Sequence, residues 1–82
     1  MTLKYFNHNP LEEKIHLVQL HGQLLVTREK ELFIVALYHM GEFFAEVWHS
    51  RVTFKVALAF GFNEGAFLEP YLERIGLSEL KE

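Results

Sequence analysis

Apolar residues crowd the middle of the chain. Between Leu32 and Phe60 three runs, 32–39, 43–49 and 52–60, are dense in aliphatic, β-branched and aromatic side chains. Runs of this length between turn residues predict strands. Met40-Gly41 separates the first two, and the glycine supplies the positive φ that a tight hairpin needs. Ser50-Arg51 separates the second pair. Two-residue turns at both places set Tyr38 opposite Phe43, Ala36 opposite Ala45 and Ile34 opposite Val47. The second hairpin then sets Val47 opposite Phe54, Ala45 opposite Val56 and Phe43 opposite Leu58.

Side chains alternate between faces with a period of two. One face therefore carries Leu32, Ile34, Ala36, Tyr38, Phe43, Ala45, Val47, Val52, Phe54, Val56, Leu58 and Phe60. It has no charge and is expected to be core. The other face carries Phe33, Val35, Leu37, His39, Glu42, Phe44, Glu46, Trp48, Thr53, Lys55, Ala57 and Ala59, with Glu46 facing Lys55 as an opposite-charge pair. A rival pattern is a helix through 28–40 capped by Thr27, with Leu32, Val35 and Tyr38 on one side. The β-branched and aromatic density, and the alternation in Val-Thr-Phe-Lys-Val, favour strands.

The flanks follow a different period. Met1 to His8 reads as a short lead with Tyr5 and Phe6 as anchors. Asn9-Pro10 predicts a helix start, with Asn as N-cap and Pro at the first helical position. Glu12 and Glu13 sit in the first turn, where the helix dipole favours them. Leu11, Ile15 and Val18 share a side, and Gly22 suits the position after the last turn. The expected helix runs from Pro10 to His21. Gln23 to Arg28 makes a short first strand, with Glu29-Lys30 as the turn into the meander. After Phe60, two glycines and an asparagine within 61–65 mark an irregular loop. A last helix is expected to begin near Pro70 and end before Gly76, with Leu68, Leu72 and Ile75 packed on the uncharged sheet face. Ser78 suits the cap of a final turn. The predicted fold is one α+β domain over 1–82: an antiparallel meander of about four strands, an N-terminal helix and a short C-terminal helix.

Composition narrows the function classes. The chain has 82 residues, half of them hydrophobic and 15% aromatic, which excludes disorder. A domain of this size buries a limited share of its surface, and oligomerisation is a common supplement. There is no cysteine, so disulfides and thiolate chemistry are excluded. The net charge of −3 with no basic run makes duplex nucleic acid a poor partner. No apolar run approaches the roughly 20 residues of a membrane span, and residues 1–10 lack the cationic and apolar regions of a signal peptide. A soluble cytoplasmic protein with no cofactor and no membrane partner is expected.

The candidate chemistry is sparse. The histidines are His8, His16, His21, His39 and His49. His16 and His21 are five apart on a helix and point in different directions, unlike the i, i+4 pair of a metal helix. No metal site is expected. Glu42 and Glu46 share a face, and paired carboxylates can do acid–base work. Glu46 has Lys55 as its expected partner, and Glu42 lies beside a turn opposite His39, so solvated or paired charge outweighs catalysis. There is no Gly-rich phosphate loop and no nucleophile elbow. Phe44 and Trp48 could form a stacking platform for a base, but with little positive charge nearby a packing role is favoured.

The pieces Gly22-Gln23-Leu24-Leu25-Val26-Thr27-Arg28, Leu37-Tyr38, Phe43-Phe44-Ala45-Glu46-Val47-Trp48 and Leu68-Glu69-Pro70-Tyr71-Leu72 come in an order that resembles a set of short uncharacterised proteins from Bacteroidetes-type bacteria. The resemblance covers roughly 22–80. The turn at Ser50-Arg51 is shorter than in that group. The resemblance implies no activity.

The second sheet face carries the functional expectation. Phe33, Val35, Leu37, Phe44 and Trp48 project there, and its three aromatics alone amount to about 500 Å². Soluble monomers seldom expose a contiguous apolar patch of that size. Two covers are open: the helix from Pro10 to His21, or a second copy packed across a two-fold axis. The expected function is non-enzymatic, a self-associating homodimeric interaction module centred on Phe44 and Trp48. The alternative is a small-ligand carrier or sensor with a pocket between sheet and helix.

Overall fold

Four strands, β1 (Gln23–Lys30), β2 (Phe33–His39), β3 (Phe44–Ser50) and β4 (Val56–Phe62), form an antiparallel meander in sequence order. The computed structural model describes residues 1–63 and 65–71. Two helices, α1 (Leu3–His8) and α2 (Leu11–His21), precede the sheet, and a 3-10 helix, Gly65–Tyr71, follows it. The α+β meander expected from the sequence is the observed architecture. β1 and β2 occupy the stretch of the rival helix over 28–40. Among the described residues no helix is long and apolar enough to cross a membrane.

The N-terminal lead is a helix. Thr2 caps it, its Oγ1 accepting from the Tyr5 N–H at 3.1 Å. Phe6 points inward and is fully buried, its ring 5.4 Å from that of Phe43. Tyr5, the other expected anchor, is exposed. α2 starts at Leu11, one residue later than expected, with extended Pro10 at the cap position. Asn9 does not cap α2. Its side-chain amide donates instead to the Tyr5 carbonyl at 2.7 Å and so closes α1. Leu17 and Val18 are the buried residues of α2.

Each hairpin departs from the expected turn. β1 runs on to Lys30, which pairs with Phe33, so Glu31-Leu32 is the turn rather than Glu29-Lys30, and Glu31 takes φ 54°. Between β2 and β3 the loop spans 40–43, closed by the Met40 N–H donating to the Phe43 carbonyl at 2.8 Å, with Gly41 at φ 96°. Tyr38 therefore faces Ala45, Ala36 faces Val47, and His39 faces Phe44 rather than Glu42. This displacement is two residues along the strand, so every side chain of β2 and β3 keeps its expected face.

Between β3 and β4 the displacement is odd, and faces change. The loop holds residues 51–55, not two. Ser50 builds it: its Oγ accepts from the Val52 and Thr53 N–H groups, both at 3.1 Å, and its carbonyl accepts from the Phe54 N–H at 2.9 Å. Such local hydrogen bonds compete with strand pairing. Val47 then faces Ala59, Glu46 faces Phe60 and Trp48 faces Leu58, and a register shift after Trp48 sets His49 opposite Val56. Leu58 and Phe60 move to the second face and Ala59 to the first. The expected Glu46–Lys55 pair is overturned, since Lys55 lies exposed in the loop. Leu32, Val52, Phe54 and Leu58, expected in the core, are exposed.

The two helices cover the first face, where Phe6, Leu17, Val18, Met40, Phe43, Ala45, Val47 and Ala59 form one buried cluster. α1 and α2 also close the β4 edge. The Asn7 amide donates to the Gly61 carbonyl at 3.0 Å and accepts from the Gly61 N–H at 2.7 Å, pairing as a strand residue would. Lys14 Nζ donates to the Ala59 carbonyl at 3.1 Å. These contacts satisfy groups that an open edge offers to other chains. Gly61 itself must lack a side chain, because a Cβ there would stand 2.7 Å from Leu3 Cδ1 and 3.1 Å from the Phe43 ring. Leu3 can swing aside, but the buried Phe43 ring is backed by Phe6. Gly61→Ala is therefore expected to cost about 1–3 kcal/mol of stability, read from the urea midpoint. A loss under about half a kcal/mol, the scale of an ordinary surface change, would mean that the ring yields.

The C-terminal segment packs opposite to expectation. A 3-10 helix with Pro70 inside it replaces a helix beginning near Pro70. Leu68 and Tyr71 join Leu37, Phe62, Val26, Phe44 and Phe60 in a second cluster on the second face, not the first. Leu72, Ile75 and the Ser78 cap lie outside the described residues.

Candidate functional site

The second face is organised around one buried carboxylate. Glu46 is 4% exposed. Its Oε1 accepts from Trp48 Nε1 at 2.9 Å, and its Oε2 accepts from the Tyr71 hydroxyl at 2.6 Å and from Arg28 at 3.4 Å. Strand alternation sets this up: Arg28 on β1 and Glu46 on β3 share a face, and Val35 and Leu37 of β2 lie between them, paired with Arg28 and Glu46. The Arg28 guanidinium lies 5.1 Å from the Tyr71 ring centroid and 5.8 Å from that of Trp48, within cation–π range of both. Among the described residues Arg28 Nε has no hydrogen-bond acceptor. Burial works against the charge of Arg28, but the contacts with Tyr71 and Glu46 outweigh it and raise its pKa.

This network is a latch. Both oxygens of Glu46 are taken by donors from three other residues, and Tyr71 ties the 3-10 helix to the middle of the sheet. Tyr71 is fully buried. Burial, and then the hydrogen bond it donates to Glu46, push its phenol well above the ordinary tyrosine range. The folded state thus retains a proton that the unfolded chain releases at about pH 10. The stabilisation is intact below that pH and is lost as pH rises towards the folded pKa, at about 1.4 kcal/mol per unit for one proton. Alkaline titration followed by tyrosinate absorbance should show one tyrosine ionising only with unfolding, and Tyr71→Phe should remove that step.

The first face holds the second candidate. α2 leaves part of the sheet uncovered, and a groove of about 120 Å³ runs there, lined by Ile15, Val18, Gln19, Tyr38, Val47, His49 and Val56. An open hollow of about 510 Å³ adjoins it across His49, bordered by Ile34, Ser50, Arg51 and Phe54. Phe54 is 86% exposed and has φ 62°. That is the left-handed region, which glycine and asparagine enter easily and a bulky side chain rarely does. The Arg51 N–H donates to the Leu32 carbonyl at 2.8 Å, and the Arg51 guanidinium pairs with Glu29 at 2.7 Å. The two loops are thereby tied, and exposed Leu32, Val52 and Phe54 all lie on them, at the same end of the sheet.

Of the five residues expected at an interface, Val35 and Leu37 are fully buried. They lie beneath the Arg28–Glu46 bridge. Phe33, Phe44 and Trp48 are half-buried. Phe33 meets Trp48 edge-on at 5.5 Å, and Phe44 stacks on Phe62 at 5.9 Å. The helix from the N-terminal region covers the opposite face; among the described residues, Leu68, Tyr71 and the Arg28 side chain pack on this one. His8, His16, His21 and His39 are exposed and His49 is half-buried. Among the described residues no three His, Asp or Glu side chains group as metal ligands would.

Arg28, Tyr71 and Phe54 are the residues that sequence reasoning passed over. Arg28 had a legible signal, since extending β1 by two residues puts it across Val35 from Trp48. Tyr71 and Phe54 had none, because their places depend on loop paths. No protein-family model matches the chain, and no curated protein and no solved structure matches it either.

Proposed function

We propose that the protein is a small, non-enzymatic, self-associating interaction module of the cytoplasm that works as a homodimer. The observation that supports this is the exposed apolar end of the sheet, where Leu32 is 62%, Val52 64% and Phe54 86% exposed. Hiding a large apolar side chain is worth roughly 1.5–3 kcal/mol. Single exposed apolar residues are ordinary, whereas three of them on two tied loops at one end of the sheet suit a surface that makes a contact. The sequence centres the contact on Phe44 and Trp48. Around those two the chain's own Arg28, Glu46 and Tyr71 already supply cover, so the loop end is the better contact. Another protein chain, rather than nucleic acid, suits a net charge of −3.

Sedimentation velocity across micromolar to millimolar protein tests the reading. The mass should rise with concentration towards two chains. Added salt should not weaken the association, because the contact is apolar rather than ionic. A constant single-chain mass would end the proposal.

The groove between α2 and the sheet favours a second reading, a small-ligand carrier. At about 120 Å³ it is smaller than the roughly 300–1,000 Å³ of most small-molecule sites, and the adjoining hollow of about 510 Å³ is open to solvent rather than enclosing, which places this reading second. Native mass spectrometry of freshly purified protein separates the two, since a carrier would arrive with a bound small molecule.

A further inference from the structure

We infer that self-association is reciprocal, with Phe54 of each copy seated in the groove between α2 and the sheet of the other. The inference rests on the self-association reading and adds the surface and its geometry.

The first support is the backbone at Phe54. A bulky residue held at φ 62° is strained, and such strain concentrates where a side chain must be presented. Within the chain the strain has no return, because the ring is 86% exposed. The loop that holds it is nonetheless well fastened: Ser50 accepts from three backbone N–H groups of the loop and donates its own N–H to the Lys55 carbonyl at 2.9 Å. The result is an aromatic ring projected into solvent by a built turn.

The second support is the fit. An apolar cavity of about 150 Å³ takes a benzene ring. The groove here is about 120 Å³, and Ile15, Val18, Tyr38, Val47 and Val56 give it apolar walls. It is somewhat smaller than that cavity but open on one side, so it can take the greater part of one ring and no larger group.

The third is closure. Knob and groove are neighbours, since Phe54 borders the hollow that meets the groove at His49. A two-fold axis passing beside His49 exchanges them, so each copy gives one ring and receives one. Such a contact closes at two chains and does not propagate into a filament. Area then sets the strength. A Phe54 ring that is 86% exposed presents about 130–215 Å², so two rings and the two grooves that receive them bury about 500–900 Å². Leu32 and Val52 add to this, and the total stays near or below the roughly 1,200 Å² at which stable interfaces begin. The dimer is therefore weak and strongly concentration-dependent.

The test uses the whole chain and two variants in sedimentation velocity. Phe54→Gly removes the ring and relieves the left-handed backbone. Gln19→Trp, at an exposed position on the groove wall, fills the groove. The wild type is expected to move towards two chains with rising concentration, and both variants to stay at one. The melting temperature of dilute Phe54→Gly should match or exceed that of the wild type. If Phe54→Gly does not fold, Phe54→Asn, also at ease in this conformation, takes its place. Phe54→Gly that associates like the wild type would overturn this inference while leaving self-association to another surface. Loss of association in Phe54→Gly but not in Gln19→Trp would also overturn it, because the ring would then sit elsewhere on the other copy. A wild type of constant single-chain mass, the result expected if the partner is a different protein, would overturn the inference and the underlying reading together.

Discussion

Glu46→Ala is expected to lower stability by about 3–5 kcal/mol, the usual loss when one member of a buried ion pair is removed. The reason is what stays behind. Arg28, whose side chain is 13% exposed, would keep its charge beneath Trp48 and Tyr71 with no carboxylate. Trp48 Nε1 and the Tyr71 hydroxyl would each lose their acceptor, and an unmet buried donor costs about 1–3 kcal/mol. Small domains are stable by only about 5–15 kcal/mol, so this variant should stand close to unfolding at ambient temperature. Glu46→Gln should be milder, because its amide oxygen can still accept from Trp48 although the charge facing Arg28 is gone. The double variant Arg28→Met, Glu46→Leu should be less destabilised than Glu46→Ala alone, since both charges leave the interior together. Urea midpoints of the three variants decide the matter. A Glu46→Ala loss under about 1 kcal/mol, within the range of a single ordinary hydrogen bond, would show that Glu46 does not hold the latch.

How the latch was legible, and how it was not, follows from strand periodicity. Alternation along β2 and β3 put Val35, Leu37, Phe44, Glu46 and Trp48 on one face, and the structure keeps them there, because the β2–β3 register moved by an even number of residues. The same rule failed at β4. Ser50 and Thr53 draw the chain into a longer loop, the register moved by an odd number, and Leu58 and Phe60 crossed to the Glu46 face. Lys55 was therefore the wrong partner for Glu46, and Arg28 the right one. Tyr71 reaches Glu46 from 25 residues away, a distance over which no local pattern carries information. The candidate site at Phe54 was hidden for the opposite reason. A Phe in an alternating run reads as core, and nothing local announces that its backbone turns left-handed. α1 was within reach, since Thr2 is a good N-cap and Leu3 and Phe6 are three apart, but six residues form no stable helix alone.

That dependence makes Phe6→Ala the second large expected effect, a loss of about 3–5 kcal/mol. Phe6 is the buried residue of α1 and fully enclosed, with Phe43 as its ring partner. Truncation removes the apolar area of the ring and leaves a cavity between α1 and the sheet that neighbouring side chains fill only in part. A further consequence reaches the sheet edge. α1 carries Asn7, whose amide pairs with both backbone groups of Gly61. A helix of this length keeps its place by docking rather than by its own hydrogen bonds, so losing Phe6 should free Asn7 and open β4 to solvent. Asn7→Ala isolates the edge effect. It removes two hydrogen bonds, each worth about 0.5–1.5 kcal/mol net, and leaves the core intact. Hydrogen exchange at the Gly61 N–H should quicken in both variants, while the urea midpoint should fall by the larger amount only in Phe6→Ala. A Phe6→Ala protein with wild-type midpoint and a protected Gly61 N–H would mean that α1 is held by something other than its one buried ring.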